Sequence, residues 1–445
     1  MFDDIKRTID KIAAKYKIDD YELLLTTGNN TSFNIEQHDL TLSSEVEVSS
    51  LAMRLIKNGK LTYASSTVFD EAALDRIIQA SLTNLQPTDL VRFAVIPAGL
   101  KQDFVDKKLA DLLSKPKELR DLLASMAAET FKVGKGKFER LNGGGGVSIG
   151  ESWVYTAGSP EPAYSRQSAF SVSASLDSRD FEYIVSKKMP RDSAILGLGV
   201  KVAKRLPAKN LKPSDLGVKG KSIDVILHPN CFSGLFNQLI AEHIYATNKL
   251  SGLSRFKLDE KLASPKLTIY DDATHPELLS SAPTDNEGVV SQKVELFKKG
   301  VFKSFLYDAE TALVDRHNPT GNGMRRPVLA EDTNEAPIRP SLRSLLMEPG
   351  KIKLKDMIKG IKKGVLLKFL LGLHTADKVS GSFANTALMS YVIENGKLVA
   401  TAEPGTWAMQ GNALQMLKNI SAVSSERLNM GSALLPWLKT RLQVS

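Results

Sequence analysis

A chain of 445 residues is too long for one ordinary core and predicts two or three domains. Hydrophobic residues make up 42% and charged residues 24%, which gives enough apolar surface to fold without the charge excess of a disordered chain. The formal net charge of +9 raises nucleic acid as a partner, but the lysines are spread along the chain and no reader motif accompanies them, so that partner is not expected.

The first residues, Phe2-Asp3-Asp4-Ile5-Lys6-Arg7, lack the basic start and apolar stretch of a secretory signal, so a cytoplasmic location is expected. The longest apolar run, Val365 to Leu373, is interrupted by Lys368 and falls short of the roughly 20 residues a spanning helix needs. No membrane association is expected. Cys231 is the only cysteine, which rules out an intramolecular disulfide and a thiolate-based structural zinc site.

Ile5, Ile9, Ile12 and Tyr16 fall at helical steps and predict an N-terminal helix. Strands are predicted over Glu45-Val46-Glu47-Val48, Leu51 to Ile56 and Leu61 to Ala64, with Asn58-Gly59 turning the last pair as a type I′ hairpin. Leu74, Ile77, Ile78 and Leu82 mark a second helix, with Asp70 and Glu71 at its dipole-favoured start. Leu109 to Phe131 is predicted as one helical stretch. Gly143-Gly144-Gly145-Gly146 lacks the Lys-Ser/Thr of a phosphate loop and reads as a flexible hairpin loop, followed by alternating strand sequence to Val185.

Residues 207–220 hold prolines, glycines and lysines without apolar periodicity and are assigned as a linker between domains at 1–206 and 221–445. Beyond it, Ser222 to Leu227 predicts a buried strand and Phe232 to Tyr245 a helix. Val294 to Tyr307 turns at Lys298-Lys299-Gly300, and Tyr391 to Thr401 turns at Asn395-Gly396. Lys351, Lys353, Lys355, Lys359, Lys362, Lys363 and Lys368 alternate with apolar residues and read as the solvated face of an amphipathic element. The fold class is α+β, with antiparallel sheets in both halves and a hairpin-rich C-terminal domain.

Candidate chemistry is sparse. No two histidines stand at the i, i+4 spacing of a helical zinc site. Glu242 and His243 are adjacent and point about 100° apart on a helix, so His228 and His243 are assigned surface or capping roles. Cys231 follows His228-Pro229-Asn230 and reads as a small apolar residue rather than a nucleophile. Asp271-Asp272 and Asp285-Asn286-Glu287-Gly288 offer oxygen ligands for a hard cation, but their spacing matches no calcium loop, and turns are the stronger reading.

Those carboxylate segments also carry a resemblance. Leu267 to Asp272, Thr284 to Val289, and Lys299-Gly300-Val301 through Leu306-Tyr307-Asp308 resemble the central signature of the TldD/PmbA metallopeptidase family, also called the peptidase U62 or modulator of DNA gyrase family. Thr320-Gly321-Asn322-Gly323, Leu346 to Gly350, Ser380 to Phe383, Ile393 to Gly396, Gly411-Asn412 and Asn419 to Val423 continue it in order, the last resembling the PmbA/TldE branch.

The resemblance implies a zinc site built in TldD proteins from an H-E-x-x-x-H motif and a C-terminal cysteine. Here the first histidine is replaced by Gln238 and the glutamate by Leu239, His243 alone is retained, and no cysteine follows Cys231. It thus implies no metal or other cofactor and no catalytic residue in this chain, with zinc held by a TldD-type partner that hydrolyses unfolded or leader peptides. The alternative is a homodimeric peptide-binding or regulatory protein. The family's association with gyrase modulation and toxin–antitoxin control is a third reading. An independent hydrolase using His243, Cys231 or His374 is a fourth.

Overall fold

The structure, a computed structural model, describes residues 1–37, 39–326 and 336–445. Two sheets organise it, both mostly antiparallel, with helices packed against them. In the first, the long strands Asp20–Glu36, Asp39–Lys57, Leu141–Thr156 and Ala163–Leu176 lie side by side with Lys60–Ser66, and Asp180–Ser186 pairs with Ala163–Leu176. The hairpin at Asn58-Gly59 forms as predicted, with both residues at positive φ. The helix Phe2–Tyr16 buries Ile5, Ile9 and Ile12 against Leu23, Leu25 and Met53. Glu71–Ser81 is capped by Asp70, whose carboxylate accepts the Ala73 amide at 2.9 Å.

Three segments differ from their sequence expectation. Gly143 to Gly146 form no loop; they lie inside the strand Leu141–Thr156, between two neighbouring strands. A Cβ on Gly145 would stand 2.8 Å from Leu123 of the overlying helix, and one on Gly146 would stand 2.9 Å from Ser32, so the glycines allow a close approach rather than a bend. The stretch from Leu109 to Phe131 is two helices, Lys107–Leu113 and Pro116–Val133, because Pro116 can open a helix but not continue one. Lys368 is not on a solvated face. It is 2% exposed, at the end of Lys363–Leu367, and its ammonium donates to Asp180 at 2.6 Å.

The second sheet has fourteen strands among the described residues. Ser222–Leu227 lies between Lys363–Leu367, parallel, and Ala433–Val444, antiparallel, over a core containing Phe232, Leu239, Phe297 and Trp407. The two residues Asn210–Leu211, within the stretch read as a linker, pair with Lys397–Ala402. No helix among the described residues is long and apolar enough to cross a membrane.

The predicted turns at Lys298-Lys299-Gly300 and Asn395-Gly396 are both hairpins with positive φ at the turn. Gly396, at φ +75°, would place a Cβ 2.8 Å from the Lys359 carbonyl oxygen. Replacing it with Val is expected to destabilise the protein by about 1–3 kcal/mol, read as a lowered urea midpoint. An unchanged midpoint would contradict the turn assignment.

Candidate functional site

The segment that follows Ser222–Leu227 places most of the candidate residues. His228 caps the helix Pro229–Leu235, its Nδ1 accepting the Asn230 amide at 3.2 Å, and Pro229 opens the first turn without an orphan N–H. The chain then widens into a π-helical turn, Phe236–Ile240, and a one-turn 3-10 segment, Ala241–His243. The predicted single helix is therefore a helix with a bulge, a device found often at functional sites.

Capping is right for His228, but neither histidine lies on the surface: His228 is 7% and His243 is 1% exposed. Burial first, then the nearby Lys368 and Arg205 charges, pushes His228 well below the ordinary imidazole range, so it is a neutral cap. His243 Nδ1 accepts the Arg255 amide at 3.2 Å while its ring packs on Phe256, and burial again favours the neutral form. With Nδ1 accepting, the ring proton sits on Nε2, a buried atom without a hydrogen-bond partner among the described residues.

Gln238 is half-buried and Leu239 is fully enclosed in the apolar core, so the position of the family's glutamate holds an alkyl side chain turned into the protein interior. Cys231 is also in that core, where burial raises its thiol far above the thiolate range. His374 is exposed on the single turn Leu373–Thr375. The structure does not join Cys231, His243 and His374 into one nucleophilic site.

The carboxylates brace loops. Asp285 accepts the amides of Glu287 and Val289, each at 2.9 Å, and of Gly323 at 2.8 Å, which is the turn read from its sequence. Asp271, by contrast, belongs to the strand Ile269–Asp272 and takes Asn322 and the Arg343 and Ser344 amides. Among the described residues no three His, Cys, Asp or Glu side chains are grouped to hold a metal.

Beside the bulged helix lies a cleft of about 290 Å³ lined by Glu242, Tyr245, Asn248, Arg326, Arg339 and Lys378, among others. Its residues come from four separate stretches, and no spacing in the sequence announced them.

A family model described as the PmbA/TldA metallopeptidase C-terminal domain matches residues 219–445, just over half the chain, and one described as its domain 1 matches residues 21–85. The chain belongs to the PmbA/TldD family. An uncharacterized protein of Methanocaldococcus jannaschii is 24% identical over 83% of this chain and 82% of its own length. A metalloprotease TldD homolog of Haemophilus influenzae is 30% identical over 41% of this chain, but that match spans only 36% of the homolog. TldE from Thermococcus kodakarensis superimposes with a TM-score of 0.83 at 21% identity over 99% of both chains, a likeness of fold. This PmbA/TldD chain thus has the α+β architecture its motifs implied, and its motif helix holds Gln238 and Leu239.

Proposed function

We propose that this chain is a PmbA/TldE-like, non-catalytic subunit that works beside a TldD-type zinc metalloprotease on unfolded or leader peptides. The observation that carries the reading is Leu239. It stands where the family resemblance puts the general base, it is buried in the core, and its alkyl side chain has no atom that could take a proton from water.

The family's zinc does not fit these residues. Gln238 supplies an amide in place of an imidazole, His243 has its Nδ1 engaged by a backbone amide, and the lone cysteine is sealed in the core. What the fold retains is a framework, which is useful in an assembly, and a single free cysteine fits the reducing cytoplasm.

The test mixes untagged chain with a TldD-type protein. Expected are no stoichiometric zinc in this chain, no cleavage of an unfolded peptide by it alone, and chelator-sensitive cleavage with co-elution in the mixture. Chelator-sensitive hydrolysis by the single chain would overturn the proposal. Failure to associate would move the assignment to the homodimeric peptide-binding protein.

A further inference from the structure

The cleft beside the bulged helix is rich in donors whose internal acceptors are already engaged. Tyr245 is 6% exposed and lines it. Its phenol oxygen accepts from the Arg326 guanidinium at 2.8 Å and lies 3.5 Å from the Leu342 amide. With both donors aimed at the oxygen, the hydroxyl proton has no acceptor among the described residues and is available to the cleft.

Arg326 is stacked over the Tyr245 ring at 5.5 Å and spends one N–H on the phenol. Neither Arg326 nor the exposed Arg339 forms an ion pair among the described residues. Among the described residues the one carboxylate lining the cleft, Glu242, is occupied: Asn248 donates to Oε2 at 3.0 Å, and the Lys378 ammonium stands 3.6 Å from Oε1. Among the described residues, two guanidinium groups and a phenol O–H therefore remain for a ligand that brings acceptors and negative charge. A planar fork of guanidinium N–H groups matches the paired oxygens of a carboxylate or phosphate.

We infer that this cleft is an oxyanion-binding site, taking the carboxylate of a short acidic peptide or a phosphate group, with Arg326, Arg339 and the Tyr245 hydroxyl as its donors. The volume, about 290 Å³, is at the lower end of ligand clefts and suits one acidic residue with its neighbour. The inference does not depend on the chain being catalytic or on any partner. It assigns a chemistry to the surface beside the motif helix, where an apolar lining would have pointed elsewhere.

Calorimetric titration of the full chain at low salt tests it, with three probes: the tripeptide Ala-Ala-Asp, its C-terminal amide with Asn in place of Asp, and inorganic phosphate. Saturable binding of the acidic peptide or of phosphate is expected, but not of the neutral amide. Arg339→Ala and Tyr245→Phe should each weaken it by about tenfold or more, since each removes a donor to an anion. Arg120→Ala, an exposed change on the helix Pro116–Val133, should leave it unchanged. Arg339 is exposed, so its removal leaves the core intact even if Tyr245→Phe disturbs folding. Binding of the peptide alone assigns the site to carboxylates, and binding of phosphate alone assigns it to phosphate esters. No saturable binding of either, or equal binding by wild type and both cleft variants, would overturn the inference.

Discussion

Replacing Arg54 with Met is expected to remove roughly 3–5 kcal/mol of stability, the usual cost of leaving buried charges without their partner. Arg54 is 2% exposed and faces Glu22 directly across two paired strands, Nε standing 3.1 Å from the carboxylate. Its other arm reaches Glu287, 2.9 Å away, which comes from the other half of the chain. Glu287 also accepts the Ala309 amide at 2.7 Å, so one guanidinium ties the first sheet to the hub that Asp285 braces in the second half. Methionine fills a similar volume and keeps the contact over Phe93, so the loss reports charge rather than a cavity.

The pH dependence of that loss gives a second readout. Burial raises the Glu22 carboxyl above its ordinary value, with Arg54 opposing the rise. Without Arg54 the rise is larger, because only the weaker pull of the Arg325 charge is left to oppose it. A carboxyl raised in the folded state contributes stability that is present below its unfolded pKa and lost as pH climbs through the folded value. The cost of Arg54→Met should therefore grow from about pH 4 to neutral, near the ordinary glutamate range upward. Urea unfolding of both proteins at several pH values measures it, and a cost below about 1 kcal/mol at pH 7, the scale of an exposed pair, would refute the buried-link account.

Local chemistry made much of this fold legible. Asn58-Gly59 and Asn395-Gly396 specify their hairpins because both residues accept the positive φ that such turns need. Ile5, Ile9 and Ile12 specify a helix because one face must be covered. Where the reading failed, the deciding partner was remote. Four glycines look like a loop until Leu123 and Ser32 press on them from neighbouring elements. Lys368 sits in a lysine-rich stretch and looks solvated, but its partner Asp180 lies 188 residues earlier. The candidate site divides the same way. Gln238 and Leu239 could be read in place from the family motif, whereas Tyr245 and Arg326 lie 81 residues apart and meet only through the fold.

Lys368→Met provides the second large effect, expected at about 3 kcal/mol at pH 7, the lower end for breaking a buried pair because Asp180 keeps another cation. Asp180 is fully buried and accepts from Lys368 at 2.6 Å, from Arg205 at 2.6 Å and from the Tyr391 hydroxyl at 2.5 Å. Burial alone would raise its carboxyl, but the Lys368 and Arg205 charges outweigh burial and hold it below the usual aspartate range. A carboxyl lowered in the folded state contributes stability that is present above its unfolded pKa and lost as pH falls through the folded one. In the wild type this contribution is therefore full at neutral pH and fades only below about pH 4, the ordinary aspartate range. In the variant, Asp180 has lost one of its cations and takes up a proton at a higher pH. Once protonated it no longer needs the ammonium, so the difference between wild type and variant should shrink as pH falls toward that range. Paired denaturation curves at neutral and acidic pH decide the matter: a difference that stays constant with pH would mean that lost packing, not the buried charge pair, is what Lys368 contributes between the two halves.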